Sequence, residues 1–262
     1  MDMGIAGRKA IINGASAGMG KQAALALARE GVNLVISARG QARVEQVARD
    51  IASETGVEVI PVAADHSTDE GRAKILAACP APDILVATCS PPPMSPDFRE
   101  IDDAAWYSTL EISMLSPIRF IRAVIDGMTE RRWGRIVNIA TVAAKYPLEL
   151  RVLSGAPRAA LINYTGALAR SVAQYNVTLN NVMPGMFHTA FTETQLNERA
   201  KNNGTTYEEE VRKFVEAFRI PAGRFGDSVD VGAVVCMFCS EYAGYMTGQS
   251  IVMDGGTNIS TF

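Results

Sequence analysis

The sequence predicts a doubly wound α/β fold, in which helices cover both faces of one parallel sheet. Short apolar runs alternate with helix-length segments from one end of the 262-residue chain to the other. Runs such as Leu34-Val35-Ile36 lack the polar alternation of a half-exposed strand, as expected for a sheet buried on both faces. The first run ends in a glycine-rich turn that opens directly into a helix. These three observations favour a single α/β domain over residues 1–262.

The periodicity and the turn residues between apolar runs give seven strands and six helices. We predict strands near residues 8–13, 33–38, 58–62, 83–88, 135–140, 177–182 and 250–253. We predict helices near residues 18–30, 41–54, 68–78, 103–129, 152–175 and 229–241. The sequence contains no internal repeat, low-complexity tract or linker that would divide it.

One stretch, residues 185–220, interrupts the alternation because it is polar and helix-prone. It includes the runs Thr192-Glu193-Thr194-Gln195 and Glu208-Glu209-Glu210-Val211. Since it follows the strand predicted at 177–182, it should lie over the carboxyl ends of the strands, where ligands bind in such sheets. We interpret it as a helical substrate lid; the alternative is a helical excursion at the surface.

Composition argues against nucleic-acid and membrane partners. Hydrophobic residues make up 48% of the chain and charged residues 20%, a balance that suits a globular protein with a sizeable core. The net charge of −3 gives no electrostatic reason to bind nucleic acid. No window approaches the roughly 20 apolar residues of a membrane span, and the N-terminus lacks a signal peptide's apolar stretch. We therefore expect a cytoplasmic enzyme.

The four cysteines show neither a disulfide framework nor metal-ligand spacing. Cys236 and Cys239 form a Cys-x-x-Cys, but they lie in an apolar helical run that begins at Val231. No second pair of cysteines or histidines accompanies them. We predict that both pack in the core and that the protein has no metal site.

The turn after the first strand has the composition of a phosphate-binding loop. Its glycines at 14, 18 and 20 are spaced Gly-x-x-x-Gly-x-Gly, a motif one residue longer than the common dinucleotide fingerprint. A strand, a glycine turn and a helix together bring backbone N–H groups and a positive helix end to a pyrophosphate. We expect the cofactor to contact Gly14, Ser16, Ala17, Gly18, Met19 and Gly20. The alternative is an ordinary strand-to-helix turn that happens to be rich in glycine.

The residues that end the second and third strands bear on the choice of cofactor. In folds that prefer NAD, an acidic residue at the end of the second strand bonds the ribose 2′-hydroxyl. Here that strand ends in Ala38, which leaves space, and Arg39, which offers a cation to a 2′-phosphate. NADP(H) is therefore favoured over NAD(H), unless Arg39 is only a solvated loop residue. Asp65 is a candidate partner for the adenine amine, or alternatively a helix cap.

Several motifs occur in a fixed order along the chain. They are Asn13-Gly14-x-x-x-Gly18-Met19-Gly20, Asp65, Gly134-Arg135-Ile136-Val137-Asn138-Ile139, Asn181-Val182-Met183-Pro184-Gly185 with Thr189, Gly223-Arg224-Phe225-Gly226, and Thr247-Gly248-Gln249 with Asp254-Gly255-Gly256. In this order the sequence resembles the short-chain dehydrogenase/reductase family over essentially its whole length. The resemblance implies a Rossmann-type subunit and a nicotinamide cofactor that also contacts Pro184, Gly185 and Thr189. It further implies a homo-oligomer, a tetramer or a dimer.

The resemblance breaks down at the catalytic residues. The family's chemistry rests on a serine, a tyrosine and a lysine, helped by an asparagine, and the tyrosine exchanges a proton with the carbonyl group while hydride moves. In this sequence the serine position is Thr141, the tyrosine position is Ser154 and the lysine position is Arg158. The asparagine position is Ser113. None of the four identities is retained.

The substitutions resemble a divergent branch of the same family. That branch carries a Gly-Gly-Pro-Pro-Pro-like turn and a helix that starts Leu-Ser-Asn-x-x-Arg. The matching residues here are Pro91-Pro92-Pro93, Lys145 with Pro147, and Leu153-Ser154 with Arg158. Ser90 and Gly155 depart from the branch pattern. The family's Asn-Asn-Ala-Gly after the fourth strand is replaced by Ala87-Thr88-Cys89-Ser90.

The altered centre limits the available chemistry. Ser154 and Arg158 are four residues apart and share one face of a helix, so Arg158 can bond ribose hydroxyls while Ser154 bonds a carbonyl oxygen. Arginine does not titrate, and serine is a far weaker acid than a phenol, whose reference pKa is about 10. Candidates to replace the tyrosine are Lys145, Tyr146 and His188, each of which has a purely structural alternative.

The preferred hypothesis is an NADP(H)-dependent oxidoreductase that interconverts a ketone or aldehyde with an alcohol. Its catalytic residues would be Thr141, Ser154 and Arg158, with Lys145 or Tyr146. The substrate would be a small carbonyl compound or alcohol. Two alternatives remain: a catalytically silent NADP(H)-binding subunit, and a non-redox enzyme on the same scaffold, such as a lyase or a dehalogenase-like protein.

Overall fold

A computed structural model describes residues 2–95 and 97–258 and contains nine strands within those ranges. They are β1 (Lys9–Asn13), β2 (Asn33–Ala38), β3 (Val59–Ala63), β4 (Ile84–Ala87), β5 (Gly134–Ile139), β6 (Val177–Pro184), β7 (Phe187–His188), β8 (Gly226–Asp227) and β9 (Ser250–Met253). Seven of them form one sheet in the order β3-β2-β1-β4-β5-β6-β9, and every pairing is parallel. The order reverses at β1, which places a crevice at the carboxyl ends of β1 and β4. The predicted doubly wound fold is confirmed.

The helices of the described ranges connect these strands. They are α1 (Gly18–Arg29), α2 (Gln41–Thr55), α3 (Asp69–Ala78), α4 (Asp103–Leu110), α5 (Ser116–Glu130), α6 (Val152–Val172), α7 (Ala190–Asn203), α8 (Tyr207–Ala217) and α9 (Ser228–Cys239). None of them has the length and apolar character needed to cross a membrane.

Alternate residues of the strands face two separate cores. Ala10 and Ile12 of β1 pack with residues of α1, α2 and α9 on one face of the sheet. Ile11, between them, packs with residues of α3, α5 and α6 on the other face. This explains why the strand sequences lack polar alternation, since both faces are covered.

Cys236 and Cys239 lie in the first of these cores, as predicted. Their side chains are buried, and burial raises the pKa of Cys236 to about 12 and raises that of Cys239 as well. Both therefore remain neutral thiols that pack as small apolar groups.

The long helix predicted at 103–129 is not uniform. A π-helical turn, Glu111–Leu115, separates α4 from α5. Pro117 lies in the first turn of α5, and a proline removes an N–H donor and crowds the preceding turn, which favours such a local widening. The π turn carries Ser113, which is buried.

A buried polar cluster joins the elements that carry the candidate catalytic residues. The Asn138 Nδ2 of β5 donates to the Thr165 Oγ1 of α6 at 3.1 Å and to the Asn181 Oδ1 of β6 at 2.9 Å. Since buried amides are costly to leave unpaired, these bonds hold α6 in one position against β5 and β6.

The 185–220 stretch forms α7 and α8 after the short strand β7. Each helix begins with a capping box, Thr189 with Thr192 in α7 and Thr206 with Glu209 in α8. The two helices share a small apolar core, which is separate from the cores on the sheet and consists of Leu196, Ile220 and Phe225 with flanking residues. The strands β7 and β8 pair with each other and were not predicted, because two-residue strands leave no periodicity to detect.

A buried carboxylate ties α7 to α8. Glu210 is 0% exposed and accepts hydrogen bonds from the Lys213 Nζ at 2.7 Å, the Thr205 Oγ1 at 2.7 Å and the Asn203 Nδ2 at 3.2 Å. These bonds, led by that from Lys213, outweigh the effect of burial and lower the pKa of Glu210 to about 2. The ionised carboxylate is therefore the form that stabilises this part of the protein.

Glu210→Gln is expected to loosen the connection between α7 and α8. In the wild-type protein the stabilisation is complete above the ordinary glutamate pKa of 4.5 and is lost as the pH falls through about 2. At neutral pH, amide hydrogen exchange over residues 203–213 should be several-fold faster in the variant. The exposed neighbour Glu208→Gln is the control and should exchange like the wild type. Equal exchange in all three proteins would show that the Glu210 network is not stabilising.

Candidate active site

The glycine turn is packed too closely to admit side chains. A β-carbon at Gly14, whose φ is 68°, would lie 2.7 Å from the carbonyl oxygen of Thr88. A β-carbon at Gly20 would lie 2.4 Å from the carbonyl oxygen of Gly14. The turn therefore contacts both α1 and the end of β4, and only glycine fits at these two positions.

The start of α1 is chemically suited to a pyrophosphate. Its N-cap residue, Ala17, offers no side-chain cap, and the first turn contains no acidic residue. The first N–H groups of the helix therefore lack the intrahelical and side-chain partners that they would otherwise have. Ser16, Ala17 and Met19 are half-buried beside them. These residues fit the phosphates of a dinucleotide, which would complete the helix end.

Residues that follow β6 reach the same turn. Thr189 approaches Gly18, whose β-carbon position lies 3.8 Å from the Thr189 methyl group. The Thr189 hydroxyl also caps α7 by accepting from the Thr192 N–H at 3.2 Å. Pro184 and Gly185 lie at the carboxyl end of β6, where the Gly185 N–H donates to the Met253 carbonyl at 2.8 Å. The start of the 185–220 stretch is thus next to the glycine turn.

Arg39 and Asp65 lie close together at the ends of β2 and β3. Arg39 is exposed, and its positive charge helps to lower the pKa of Asp65. Burial acts to raise that pKa, but hydrogen bonds from Ser67 together with the charges of His66 and Arg39 outweigh it. The cap of α3 is Thr68, whose hydroxyl accepts from the Gly71 N–H at 3.0 Å. Helix capping therefore does not account for Asp65.

The structure brings Ser154 and Arg158 together at a buried position. Ser154 is 5% exposed and Arg158 is 4% exposed. The Arg158 guanidinium donates to the Ser154 carbonyl at 3.2 Å and to the Ser154 hydroxyl at 3.2 Å. Its other terminal nitrogen donates to the Cys89 sulfur at 3.0 Å. The Cys89 sulfur in turn lies 3.6 Å from the Ser113 hydroxyl.

Sequence reasoning did not assign a role to Cys89. It follows Thr88, whose carbonyl contacts Gly14, so it connects the Ser154–Arg158 pair to the glycine turn. The available signal was its place in the substituted segment after β4, where the family has Asn-Asn-Ala-Gly. A half-buried thiol beside a guanidinium adds a polarisable group that the usual alanine lacks.

Thr141 lies at the end of β5 and begins a short 3-10 helix, Val142–Ala144. Its hydroxyl accepts from the Ala143 N–H at 3.3 Å. The 3-10 helix packs directly on α6, and a β-carbon at Gly155 would lie 2.6 Å from the Ala143 carbonyl oxygen. This close approach explains why Gly155 departs from the branch pattern.

None of the three candidate proton donors is hydrogen-bonded to the Ser154–Arg158 pair among the described residues. Lys145 is exposed, with its Nζ 5.5 Å from the centre of the Tyr146 ring. The His188 Nδ1 lies 2.8 Å from the Tyr207 hydroxyl of α8. Within the described ranges, no hydrogen bond connects Lys145, Tyr146 or His188 to Ser154 or Arg158. Tyr164 of α6 is partly buried and packs against the core on the face of the sheet that α3, α5 and α6 cover.

The sheet order, the glycine turn and the polar residues at the carboxyl ends of the strands define the class: a Rossmann-type α/β protein. A protein-family model described as enoyl-(acyl carrier protein) reductase matches residues 14–258. The chain is 30% identical to the 3-oxoacyl-(acyl-carrier-protein) reductase FabG of Pseudomonas aeruginosa, over 98% of this chain and 100% of that protein. It belongs to the short-chain dehydrogenase/reductase family.

Solved structures agree with this assignment over the whole fold. The L-sorbose reductase of Gluconobacter frateurii, complexed with NADPH and L-sorbose, superposes with a TM-score of 0.93 at 30% identity, covering 98% of both chains. YwfH, an NADPH-dependent reductase involved in bacilysin biosynthesis, gives a TM-score of 0.85 at 29% identity, covering 97% of this chain and 99% of that one.

Proposed function

We propose that the protein is an NADP(H)-dependent oxidoreductase that interconverts a ketone or aldehyde with an alcohol through a non-standard catalytic centre. The observation that carries this proposal is the direct connection between the glycine turn and the Ser154–Arg158 pair. Thr88 contacts Gly14, and the next residue, Cys89, accepts a hydrogen bond from Arg158 at 3.0 Å. A dinucleotide whose phosphates bind at the turn would place its other end beside the pair. Similarity to reductases whose structures contain NADPH supports the same assignment.

The bound cofactor supplies a hydride, and the residues of this chain bind and orient the reactants. The turn residues from Gly14 to Gly20 hold the phosphates, and Pro184, Gly185 and Thr189 contact the nicotinamide half. The 185–220 stretch acts as the lid that excludes water. We assign the rest of the site to Thr141, Ser154 and Arg158.

Arg158 has two roles in this proposal. As a fixed cation it bonds the hydroxyls of the nicotinamide ribose. It also donates a hydrogen bond to the Ser154 oxygen at 3.2 Å, which leaves the Ser154 O–H free to donate to a carbonyl oxygen. Thr141, at the end of β5, would be the second hydroxyl at that oxygen. Neither hydroxyl is a strong enough acid to supply the proton unaided.

The proton would be supplied by Lys145, Tyr146 or His188. Lys145 and Tyr146 directly follow the 3-10 helix that Thr141 begins, whereas His188 lies near the lid. The pH dependence of kcat in Lys145→Met, Tyr146→Phe and His188→Gln distinguishes them, because only loss of the true donor removes the titration.

Arg39→Ala is expected to weaken NADPH binding about 10- to 100-fold while NADH binding changes little, because a buried or well-oriented charge-assisted bond contributes about 1.5–3 kcal/mol. Titration with both cofactors, followed by nicotinamide fluorescence, measures the change. Arg49→Ala removes another exposed arginine, on α2, and should leave the NADPH preference intact. If Arg39→Ala still prefers NADPH over NADH, Arg39 is only a solvated loop residue. The reason for choosing NADP(H) as the cofactor is then removed.

The first test of the proposed function is cofactor binding, followed by turnover of a panel of carbonyl compounds. NADPH binding with carbonyl-dependent oxidation supports it. NADPH binding without turnover of any carbonyl compound would favour the silent subunit, which the lack of a hydrogen bond between Ser154 and the candidate proton donors among the described residues also favours. Binding of neither cofactor would favour the non-redox enzyme. We further propose, from the family resemblance, a cytoplasmic homotetramer or homodimer, which light scattering of the purified protein tests.

A further inference from the structure

Three cations near the start of α6 lack acidic partners. They are Lys145, Arg151 and Arg158, and the segment that they span contains one carboxylate, that of the exposed Glu149. Ion pairs elsewhere in residues 2–95 and 97–258 engage arginines and lysines with nearby carboxylates. None of the described ion pairs includes any of these three cations.

Arg158 is the most deeply buried of the three cations, since it is only 4% exposed. Its described partners are the carbonyl and hydroxyl of Ser154 and the sulfur of Cys89. They engage three of its five N–H donors and bring no negative charge. A buried charge without an opposite charge is unfavourable, and an anionic ligand would balance it. Ribose hydroxyls are neutral, so the cofactor's ribose alone does not balance the charge.

Arg151 adds a second guanidinium at the same place. It is the residue that precedes α6, it is half-buried, and no side-chain hydrogen bond engages it within the described residues. Arg151 precedes Arg158 by seven residues, about two helical turns, so the two residues lie on the same side of the start of α6. Burial, with a contribution from the charge of Arg158, lowers the pKa of Arg151. The first turn of α6 contains no acidic residue and no side-chain cap, so the positive end of the helix dipole adds to the charge of Arg151.

The neighbouring acidic residues do not neutralise this region. A cavity of about 330 Å³ lies beside Leu153 and is lined by Glu100 and Asp102, among others. Both carboxylates are exposed, and the Asp102 carboxylate caps α4 by accepting from the Ala105 N–H at 2.8 Å. Neither is within ion-pair distance of the three cations. The cavity has apolar walls at Pro93, Ile101 and Leu153, and it offers room for the uncharged part of a substrate.

We propose that the carbonyl substrate is an anion, a 2-oxo or 3-oxo acid, whose carboxylate binds Arg151 and Arg158 while Lys145 attracts it from solvent. This rests on the proposed function, since it names the substrate class of the same site. A carboxylate fits the planar fork of an arginine in a two-bond contact. With the carboxylate on the arginines, the adjacent carbonyl group lies next to the Ser154 hydroxyl. Reduction then yields the corresponding hydroxy acid, with hydride from NADPH and one proton from the site.

The test compares substrates that differ only in charge. Benzoylformate is expected to show a kcat/KM about 10- to 100-fold higher than methyl benzoylformate with NADPH, the ratio typical of one charge-assisted contact. Arg151→Gln should lower that acid-to-ester ratio about tenfold, and Arg151→Lys should restore part of it. The control is Arg170→Gln, which removes an exposed arginine of α6 that lies about 18 Å beyond Arg158 at 1.5 Å per residue. It should leave the ratio unchanged.

A binding measurement separates failure of this inference from failure of the proposed function. Benzoate and benzamide are titrated into the NADPH complex, followed by nicotinamide fluorescence. Tighter binding of benzoate, lost in Arg151→Gln, establishes the anion site whether or not turnover is seen. Faster turnover of the methyl ester, or equal binding of benzoate and benzamide, would refute the anion site and leave the reductase proposal standing. Selective benzoate binding without reduction of any carbonyl compound would refute the reductase proposal alone.

Discussion

Gly20→Ala is expected to raise the dissociation constant for NADPH about 100-fold, because a displacement of about 1 Å at a binding site has effects of that size. The added methyl group would lie 2.4 Å from the carbonyl oxygen of Gly14 and 2.9 Å from the Thr88 methyl group. Since the first of these atoms belongs to the backbone, either the turn or α1 must move. Both carry the N–H groups assigned to the cofactor's phosphates. Fluorescence titration with NADPH measures the loss.

The same substitution should lower stability by about 1–3 kcal/mol, the usual result of overpacking. For a chain of this size that corresponds to a melting temperature about 2–10 °C lower in the absence of cofactor. Gly166→Ala is the matched control, because no atom lies within 4 Å of a β-carbon at that position of α6. It should bind NADPH normally and melt at the same or a higher temperature. Wild-type NADPH affinity in Gly20→Ala would refute the assignment of the turn.

Arg158→Met is expected to reduce kcat/KM about 100- to 1,000-fold, the range seen when one oriented donor is removed from an active site. The variant would lose the proposed bonds to the ribose hydroxyls, and it loses the bond from Arg158 to the Ser154 oxygen. At the same time it removes a charge that is 4% exposed and has no acidic partner among the described residues. The free energy of unfolding should therefore stay the same or rise by about 1 kcal/mol.

Lower activity together with unchanged or higher stability distinguishes a functional arginine from a structural one, whose loss would lower stability. Thermal unfolding and steady-state kinetics of the same preparation measure both quantities. Arg158→Lys retains the charge, but one ammonium group does not match the planar fork that contacts Ser154 and Cys89 together, so we expect partial activity only. Unchanged turnover in Arg158→Met, or a large loss of stability, would remove Arg158 from the proposed centre.

The two alternative functions require different parts of the candidate site. A silent binding subunit needs only the glycine turn and the residues around Arg39. A non-redox enzyme has no need for the tight turn, where Gly14 and Gly20 leave no room for a side chain. The buried Ser154–Arg158 pair favours a working site over both, because burying Arg158 without an acidic partner among the described residues costs stability, and a functional role would offset that cost.

Local sequence patterns were sufficient for most of the fold. Strands predicted at 33–38 and 58–62 are observed at Asn33–Ala38 and Val59–Ala63, and the others agree about as well. The alternation of apolar runs with helix-length segments is a property of neighbouring residues, and burial on both faces makes the strands uniformly apolar. The glycine turn was recognisable for the same reason, since close backbone approach dictates glycine whatever surrounds it.

Features that depend on distant residues became visible only in three dimensions. Cys89 and Arg158 are 69 positions apart in sequence, and nothing local to either indicates a contact. Gly155 depends on the carbonyl of Ala143, and Glu210 lies in a run of three glutamates that the sequence leaves indistinguishable. Among the described residues, Arg151 and Arg158 have no acidic partner, and this too is a property of the folded arrangement, because opposite charges meet through packing and not through spacing along the chain. Secondary structure follows from short-range periodicity, whereas the electrostatic environment of the candidate site follows from which elements the tertiary fold brings together.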